Sequence, residues 1–217
     1  MSGIFVSFEG IDGAGKSTHI ERLAQAFREC GRTVTLTREP GGTPLAEQLR
    51  HMVLNEAMDP MTEALLVFAA RRDHIQRVIL PALQRGDVIL CDRFTDASFA
   101  YQGAGRGFNW DILSVLENWV QGMPTAFGGM SGQSVLQPDI TLWFDLAPAI
   151  AAQRLAGARV PDKFESQPVA FFESVASGYA RRMDADPTRF VRLNADQKPD
   201  AVWQDLFDAV RVKGLLG

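Results

Sequence analysis

The residues best suited to chemistry lie near the start of the chain, where a glycine-rich segment follows an apolar run. Residues 10–18 read G-I-D-G-A-G-K-S-T, fit the pattern G-x-x-x-x-G-K-[S/T], and come directly after the run at residues 4–8. Glycines let successive backbone N–H groups converge on a polyphosphate, and a following helix directs its positive dipole end to the same place. We therefore expect a phosphate-binding loop in which Lys16 contacts the β- and γ-phosphates and Ser17 coordinates Mg²⁺. An idle glycine-rich turn is disfavoured, because an amphipathic helical pattern follows the loop.

Asp92 and Arg93 form a second group, directly after the apolar run at residues 87–91. A carboxylate at the end of such a strand takes the position of a Walker-B aspartate, which helps to hold Mg²⁺. Arginine suits phosphate because a guanidinium binds it through two parallel hydrogen bonds, and Arg38, Arg93 and Arg159 are candidates for this role. An Asp-Arg pair after a strand can also be an ordinary surface ion pair. The pair by itself therefore leaves both interpretations open.

The elements that must position these residues alternate between short apolar runs and helical patterns. The runs lie at residues 4–8, 33–37, 87–91, 140–144 and 189–193. This alternation predicts a single α/β domain with a five-stranded parallel sheet and helices on both faces. Helices are expected at residues 44–54, 62–84, 111–120, 148–157, 167–183 and 199–212, with a flexible link at 103–107. Polar residues follow every run, and ligands bind at the carboxyl ends of parallel strands, so we expect the site there.

Composition narrows the class of protein. The chain has 217 residues, a hydrophobic fraction of 46% and a net charge of −4 without a long basic block, which predicts one well-buried domain that does not bind nucleic acid. No window reaches the roughly 18 apolar residues that a membrane span needs. Cys30 and Cys91 lack the spacing of metal ligands, and we expect a cytoplasmic protein. His19, His51 and His74 are scattered without a nucleophile motif, which disfavours a hydrolase.

Two segments stand apart from this alternation. Residues 122–137 carry no charge and no periodicity, and they predict a long surface loop. A second phosphate cradle at its glycines is disfavoured, because no strand precedes them. Residues 154–165 are rich in helix breakers and basic side chains, and they predict a mobile lid.

Three sequence blocks together resemble the thymidylate kinases. They are F-E-G-I-D-G-A-G-K-S-T at residues 8–18, T-R-E-P-G-G-T at 37–43 and D-R-F-T-D-A-S-F-A-Y-Q-G at 92–103. The first block occurs in many NTPases, whereas the other two are specific, and with residues 138–142 and 193–196 the similarity spans nearly the whole chain. The resemblance implies a three-layer P-loop kinase fold, transfer of the γ-phosphate of ATP to thymidine monophosphate with Mg²⁺, and a homodimer.

The resemblance also implies roles for single residues. Asp12 would accept a hydrogen bond from the 3′-hydroxyl of the acceptor, Arg38 and Arg93 would bind its phosphate, and Glu9 would lie near that phosphate and the metal. The residues implied for ATP are Gly10, Asp12, Gly13, Ala14, Gly15, Lys16, Ser17 and Thr18, with Asn194, Ala195 and Asp196 against adenine. The residues implied for the acceptor are Glu9, Asp12, Arg38, Phe68, Arg71, Arg72, Arg93, Ser98, Tyr101 and Gln102. The metal ligands would be Ser17, Asp92 and Glu9.

For the base, the resemblance implies that Phe68 stacks on thymine while Ser98 and Gln102 read its polar edge. An arginine one turn after the aromatic would bind O4. A spacing of four residues points to Arg72, whereas alignment on His74 points to Arg71, which we favour.

The lid departs from the family pattern. The phosphate loop contains no arginine, and such family members usually place arginines in the lid, but here only Arg154 and Arg159 are present and Lys163 replaces the arginine of an Asp-Arg-x-Glu pattern. The expected catalytic residues are Lys16, Arg93, Arg154 and Arg159. The alternatives are a kinase for another nucleoside monophosphate or a deoxynucleoside, and a nucleotide-sensing module without an acceptor.

Overall fold

A five-stranded parallel sheet forms the centre of the molecule. The computed structural model describes residues 3–123, 134–155, 163–164 and 166–216. The strands are β1 (Ile4–Glu9), β2 (Val34–Arg38), β3 (Val88–Asp92), β4 (Ile140–Asp145) and β5 (Phe190–Asn194), in the order β2-β3-β1-β4-β5. All four neighbouring pairs are parallel, which confirms the predicted sheet. Each strand ends one residue later than expected, so that the polar residue after each apolar run is still part of the strand.

Helices cover both faces of the sheet. They are α1 (Lys16–Glu29), α2 (Pro44–Asn55), α3 (Pro60–His74), α4 (Leu80–Arg85), α5 (Thr95–Ser98), α6 (Trp110–Gln121), α7 (Pro148–Leu155), α8 (Val169–Ala185) and α9 (Pro199–Val212). Successive residues of a strand point to opposite faces. Val6 accordingly packs in a core cluster with Leu23 of α1, whereas Phe5 packs in a second cluster with Ile79.

Side-chain caps fix the starts of the helices that carry the site. The Thr43 hydroxyl accepts a hydrogen bond from the backbone N–H of Ala46 at the start of α2, and the Asp59 carboxylate accepts two at the start of α3. Each of these helices also begins with proline, whose missing N–H costs nothing in the first turn.

The structure corrects the sequence prediction at two π-helical segments. The helix expected at 62–84 consists of α3, a π-helical segment Ile75–Ile79, and α4. The link expected at 103–107 is largely helical, because a second π-helical segment, Phe99–Gly105, follows α5. Its small residues let α8 approach closely: a Cβ on Gly178 would lie 2.7 Å from Ala100 Cα. The glycines and alanines there therefore serve close packing rather than flexibility.

The two segments that the sequence set apart are described in part. The base of the expected 122–137 loop is paired, because Met123 N donates to Ser134 O, Leu136 N donates to Gln121 O, and Gly122 and Val135 form an antiparallel bridge. Residues 124–133 lie outside the described residues, as do 156–162 and 165 of the expected lid. Within the described ranges, no helix is both long and apolar enough to cross a bilayer.

Candidate active site

The glycine-rich loop wraps around the end of the Lys16 side chain. Lys16 Nζ donates to the carbonyls of Gly10 at 3.1 Å and Ile11 at 3.3 Å, and it lies 3.9 Å from Asp92 Oδ1. Gly10 has a φ of 127°, and a Cβ there would lie 2.4 Å from the Phe144 carbonyl oxygen, so only glycine fits. The loop then leads into the N-terminus of α1, where backbone N–H groups and the helix dipole favour an anion. The loop is therefore built for a polyphosphate.

A cavity beside this loop is lined by three arginines, and we call it the arginine cavity. Arg50 reaches it from α2, Arg71 from α3 and Arg93 from the end of β3, and the carboxylates Asp12 and Glu39 also line it. Its empty space of about 650 Å³ includes solvent at the open side of the cavity. Three guanidinium groups against two carboxylates give the wall a net positive charge. The cavity therefore favours an anionic ligand.

Arg71 is fully buried, and the geometry of its guanidinium group is fixed. Its Nε donates to Glu39 Oε2 at 2.7 Å, and its Nη2 donates to Ser98 Oγ at 2.8 Å and to the Phe94 carbonyl at 3.2 Å. Its Nη1 is buried and has no hydrogen-bond partner among the described residues. Burial alone would raise the pKa of Glu39, but Arg71 and His74 hold it below its usual value. Arg71 thus has one buried nitrogen, Nη1 with its two N–H groups, left for a ligand.

Arg93 connects the arginine cavity to the phosphate loop. Its Nη1 donates to the Gly10 carbonyl at 2.7 Å, its Nη2 donates to Asp12 Oδ1 at 3.0 Å, and its guanidinium carbon lies 4.9 Å from the ring centroid of Tyr101. Arg93 has a φ of 68°, an uncommon backbone conformation for a residue with a side chain. This geometry directs the side chain across the space between the loop and the cavity.

Glu9 lies behind this surface rather than on it. Its Oε1 accepts from the backbone N–H of Phe94 at 2.7 Å, and its Oε2 accepts from the Tyr179 hydroxyl at 2.9 Å. Burial and the charge of Asp96 raise the pKa of Glu9 to about 8. Because both oxygens are occupied and the charged form is disfavoured, Glu9 is poorly suited to bind a metal ion in this arrangement. It is better suited to fix the backbone that carries Phe94.

Ser17 and Asp92 line a second depression, which we call the Ser17 groove. Asp92 Oδ1 is buried and has no hydrogen-bond partner in the described part of the chain. A hydroxyl and a carboxylate suit Mg²⁺, which binds to oxygen and keeps several of its waters, so this pair fits the metal. Within the described ranges, no three His, Cys, Asp or Glu side chains cluster as metal ligands. The structure thus brings two of the three expected ligands together and places Glu9 elsewhere.

Comparisons with known proteins agree with this geometry. A family model described as "Thymidylate kinase" matches residues 8–206 of the chain. The chain belongs to the thymidylate kinase family. It is 68% identical to a thymidylate kinase of Albidiferax ferrireducens over 99% of the chain and 98% of that protein, and 62% identical to one of Polaromonas sp. over the whole of both. A crystal structure of thymidylate kinase from Ehrlichia chaffeensis matches with a TM-score of 0.76 and 27% identity, over 97% of this chain and all of that one.

Within this thymidylate kinase fold, Phe68 does not line the arginine cavity. It is buried in a cluster with Ala64, Phe99 and Leu113, and the Arg71 guanidinium carbon lies 4.6 Å from its ring centroid. Val67 lines the cavity instead. The reason is the helical period, since Val67 and Arg71 are four residues apart and share a face of α3, whereas Phe68 is rotated by about 100°. The structure therefore places Phe68 beneath Arg71 rather than in the wall.

Of the residues expected around the base, four line the arginine cavity and Arg72 does not. Ser98, Tyr101 and Gln102 line the cavity together with Arg71. Arg72 is exposed, and its Nη1 donates to the Val120 carbonyl of α6 at 2.9 Å. Arg71 therefore lies in the wall of the arginine cavity, and Arg72 lies outside it.

Other expected residues lie outside the arginine cavity. Arg38 lies in the Ser17 groove, where its Nη2 is paired with Glu47 at 2.9 Å. Arg154 donates to the Ala195 carbonyl at 3.1 Å, and Asn194 Oδ1 accepts from the backbone N–H of Asp196, so Arg154 lies against the expected adenine segment. Arg159 lies outside the described residues.

Sequence reasoning missed several residues of the cavity wall, among them Arg50, Val67 and Phe164. A signal existed for Arg50, because it interrupts the buried stripe of α2 between Ala46 and Val53 at helical spacing. For Val67 the signal was its position four residues before Arg71. Phe164 had no comparable signal, because the expected lid has no regular periodicity.

Proposed function

We propose that the arginine cavity binds thymidine monophosphate while the phosphate loop and the Ser17 groove bind ATP with Mg²⁺. As a thymidylate kinase, the chain phosphorylates thymidine monophosphate to the diphosphate at the expense of ATP. The observation that carries the assignment of the sites is Arg93, which contacts the phosphate loop while it lines the arginine cavity. An acceptor phosphate bound by this guanidinium lies beside the donor, and such positioning accounts for much of phosphoryl transfer.

On the donor side, the loop N–H groups and Lys16 hold the β- and γ-phosphates of ATP. Mg²⁺ held by Ser17 and Asp92 would neutralise charge on the phosphate oxygens. Asn194, Ala195 and Asp196 at the end of β5 would contact adenine. Arg154 donates a hydrogen bond to the Ala195 carbonyl in that segment, so it lies where it can contact the donor nucleotide.

On the acceptor side, Arg50 and Arg93 are proposed to bind the monophosphate. Both line the cavity together with Arg71, Asp12 and Glu39, so an incoming phosphate meets three positive and two negative side chains. Asp12 is proposed to accept a hydrogen bond from the 3′-hydroxyl. Arg38, which is exposed in the neighbouring groove, is the candidate to bridge the two phosphates when both nucleotides are present.

For the base, Arg71 supplies the most specific feature. Its buried Nη1 has no partner within the described residues and can donate to a carbonyl oxygen such as O4 of thymine. Val67 and Phe94 line the cavity as apolar walls, and Ser98 and Gln102 add polar groups. An amino group at the O4 position would leave Nη1 buried and unpaired, which costs about 1–3 kcal/mol.

The transfer step needs positive charge near the γ-phosphate as the bond to the leaving ADP breaks and the bond from the acceptor oxygen forms. Lys16 and Arg93 are placed for this role. The resemblance adds Arg154 and Arg159 from the lid, and the role of Arg159 rests on that resemblance alone.

We also propose a homodimer formed through α3 and α6. These helices pack on each other and expose apolar side chains at helical spacing. The exposed side chains are Met61 and Leu65 on α3 and Ile112, Val115 and Trp119 on α6. Exposed apolar side chains on neighbouring helices are typical of an interface. The use of ATP supports a cytoplasmic location.

An acceptor-dependent assay tests the proposed activity. ADP formation from ATP and Mg²⁺ should rise strongly when thymidine monophosphate is added, and much less with the cytidine or guanosine monophosphate. Arg71→Leu should lose this selectivity because the donor for O4 is removed. Equal rates with all acceptors would point to a general nucleoside monophosphate kinase, and slow ATP hydrolysis that no acceptor stimulates would point to a nucleotide-sensing module.

A further inference from the structure

Glu63 is a buried carboxylate to which none of the roles above has been assigned. It lies in the first turn of α3, and its side chain is only 1% exposed. Its Oε1 accepts a hydrogen bond from Gln102 Nε2 at 3.0 Å, and its Oε2 accepts one from Lys163 Nζ at 3.0 Å. Arg106 Nε lies 3.5 Å from Oε1. Two cationic side chains, Lys163 and Arg106, therefore lie beside this buried carboxylate.

This contact fixes the orientation of the Gln102 amide. An amide can in principle be rotated so that its oxygen and nitrogen exchange places, and only the hydrogen-bond network decides between the two orientations. An ionised carboxylate can only accept, so Glu63 must face the NH₂ end of Gln102. Gln102 also lines the arginine cavity. Its remaining polar atom, the carbonyl Oε1, is then an acceptor for a ligand in that cavity.

We propose that Glu63 is a specificity-determining positioning residue, which presents the Gln102 amide as a hydrogen-bond acceptor and so selects bases with an N–H donor at N3. This inference rests on the proposed binding of the nucleotide base in the arginine cavity. Together, Arg71 Nη1 and Gln102 Oε1 offer one donor and one acceptor. Thymine and uracil present the complementary carbonyl and N3–H, whereas cytosine presents an amino group and an N3 acceptor and is mismatched at both atoms.

Lys163 brings the end of the expected lid into the same arrangement. Besides Glu63, its ammonium group donates to the carbonyls of Val53 at 3.3 Å and Glu56 at 3.1 Å, at the end of α2. The adjacent Phe164 lines the cavity and packs edge-on against Tyr101, with ring centroids 5.6 Å apart. The carboxylate that orients the Gln102 amide thus also binds Lys163, the residue next to the cavity-lining Phe164.

The test compares two acceptors that differ only at this edge, thymidine monophosphate and 5-methyl-deoxycytidine monophosphate. We define the selectivity ratio as kcat/KM for the first divided by kcat/KM for the second, with a competitive inhibition constant replacing kcat/KM where turnover is too slow. Glu63→Gln lets the amide of Gln102 adopt either orientation, since its new partner can donate as well as accept. The selectivity ratio should fall by about tenfold or more. A rotated Gln102 amide can donate to N3 of the cytosine base, so this base no longer leaves a buried polar atom unpaired there.

Three further variants separate positioning from general structure. Gln102→Leu should lower the ratio as Glu63→Gln does, and Glu63→Gln should add nothing further in the Gln102→Leu background, because both act through the same atom. Glu63→Asp keeps an acceptor-only group and should keep the ratio within about threefold of the wild type, even where kcat/KM falls for both acceptors. Glu117→Gln is the matched control, since Glu117 is a buried carboxylate that accepts from Gln137 Nε2 at 2.9 Å outside the cavity. Its ratio should be unchanged.

The outcomes distinguish this inference from the proposed function. A wild-type enzyme that uses both nucleotides equally would overturn the proposed base pocket. A selective wild type with an equally selective Glu63→Gln variant would overturn the role of Glu63 alone. So would a Glu63→Asp variant that loses selectivity, or a further loss of selectivity from Glu63→Gln in the Gln102→Leu background.

Discussion

At the scale of single residues, Glu9 makes the stability of the protein depend on pH. Burial and the charge of Asp96 raise the pKa of Glu9 from an ordinary value of 4.5 to about 8. Between these two values the folded state binds a proton that the unfolded state has released, so the contribution of Glu9 to the free energy of unfolding falls as pH rises. Above about pH 8 this contribution changes no further.

Glu9→Gln should remove this dependence, because an amide imitates the protonated carboxyl at every pH. The free energy of unfolding of the ligand-free variant, measured with urea from pH 5 to pH 8.5, should increase relative to wild type as pH rises, by at most ~1.4 kcal/mol per pH unit. Asp73→Asn is the control, since hydrogen bonding to Thr43 lowers the pKa of Asp73 below 3.8 and its difference from wild type should be constant over this range. A constant difference for Glu9→Gln as well would contradict the raised pKa.

The residues that sequence reasoning placed well are those whose position follows from a strand end or a motif. Lys16, Asp92 and Arg93 belong to this group, because backbone geometry alone directs them to the carboxyl edge of the sheet. Phe68 was expected to stack on thymine, but it does not line the arginine cavity, because a shift of one residue along α3 turns Val67 toward the cavity instead. Glu63 could not be found from spacing, because its partners Gln102 and Lys163 meet it only in the folded chain.

At the scale of elements, the position of α8 depends on small residues of the π-helical segment Phe99–Gly105. A Cβ on Gly178 would lie 2.7 Å from Ala100 Cα and 2.9 Å from Ala104 Cβ, and backbone cannot rotate out of the way. The same segment carries Tyr101 and Gln102, and α8 carries Tyr179, which bonds to Glu9. The packing of one helix therefore positions part of the wall of the arginine cavity and the Glu9 side chain behind it.

Gly178→Ala should destabilise the protein by about 1–3 kcal/mol, because the added methyl group overpacks this contact. The sign of this change in stability distinguishes overpacking from helix propensity, since alanine stabilises an unconstrained helix by roughly 1 kcal/mol relative to glycine. KM for thymidine monophosphate should rise in parallel as the segment shifts. Ser177→Ala, at an exposed position of the same helix, should have little effect on either quantity. A Gly178→Ala protein that melts at a higher temperature than wild type would refute the packing argument.

The strands were predictable because a short apolar run that alternates with helical patterns is typical of a buried strand in a parallel sheet. The π-helical segments were not, because the extra residue in a π-turn leaves no mark on a hydrophobic pattern of period 3.6. Close packing of α8 settles the conformation at Phe99–Gly105, and the sequence shows only that four of the seven residues in this segment are glycine or alanine.

At the scale of the whole molecule, Trp119 tests the proposed dimer. Its side chain is 76% exposed on α6, beside the exposed apolar residues of α3. Wild type should have twice the monomer mass of 23.9 kDa in sedimentation or light scattering. Trp119→Asp should dissociate at protein concentrations at least about tenfold higher than wild type, because a charge would be buried at the interface.

Val212→Asp provides the control for this change. Val212 is 89% exposed at the end of α9, away from α3 and α6, so the same added charge should leave the mass unchanged. A monomeric wild type, or equal dissociation of both variants, would exclude the α3–α6 face as the interface.

The antiparallel bridge between Gly122 and Val135 has a consequence for engineering. Backbone hydrogen bonds at this bridge hold the two ends of the intervening chain together. The rest of the fold therefore does not depend on how many residues lie between Gly122 and Val135. The entropy of closing a loop grows only with the logarithm of its length, and doubling it costs about 0.6 kcal/mol. A peptide tag or a fluorescent reporter can therefore be inserted between Gly122 and Val135, where it would leave the arginine cavity and the Ser17 groove intact.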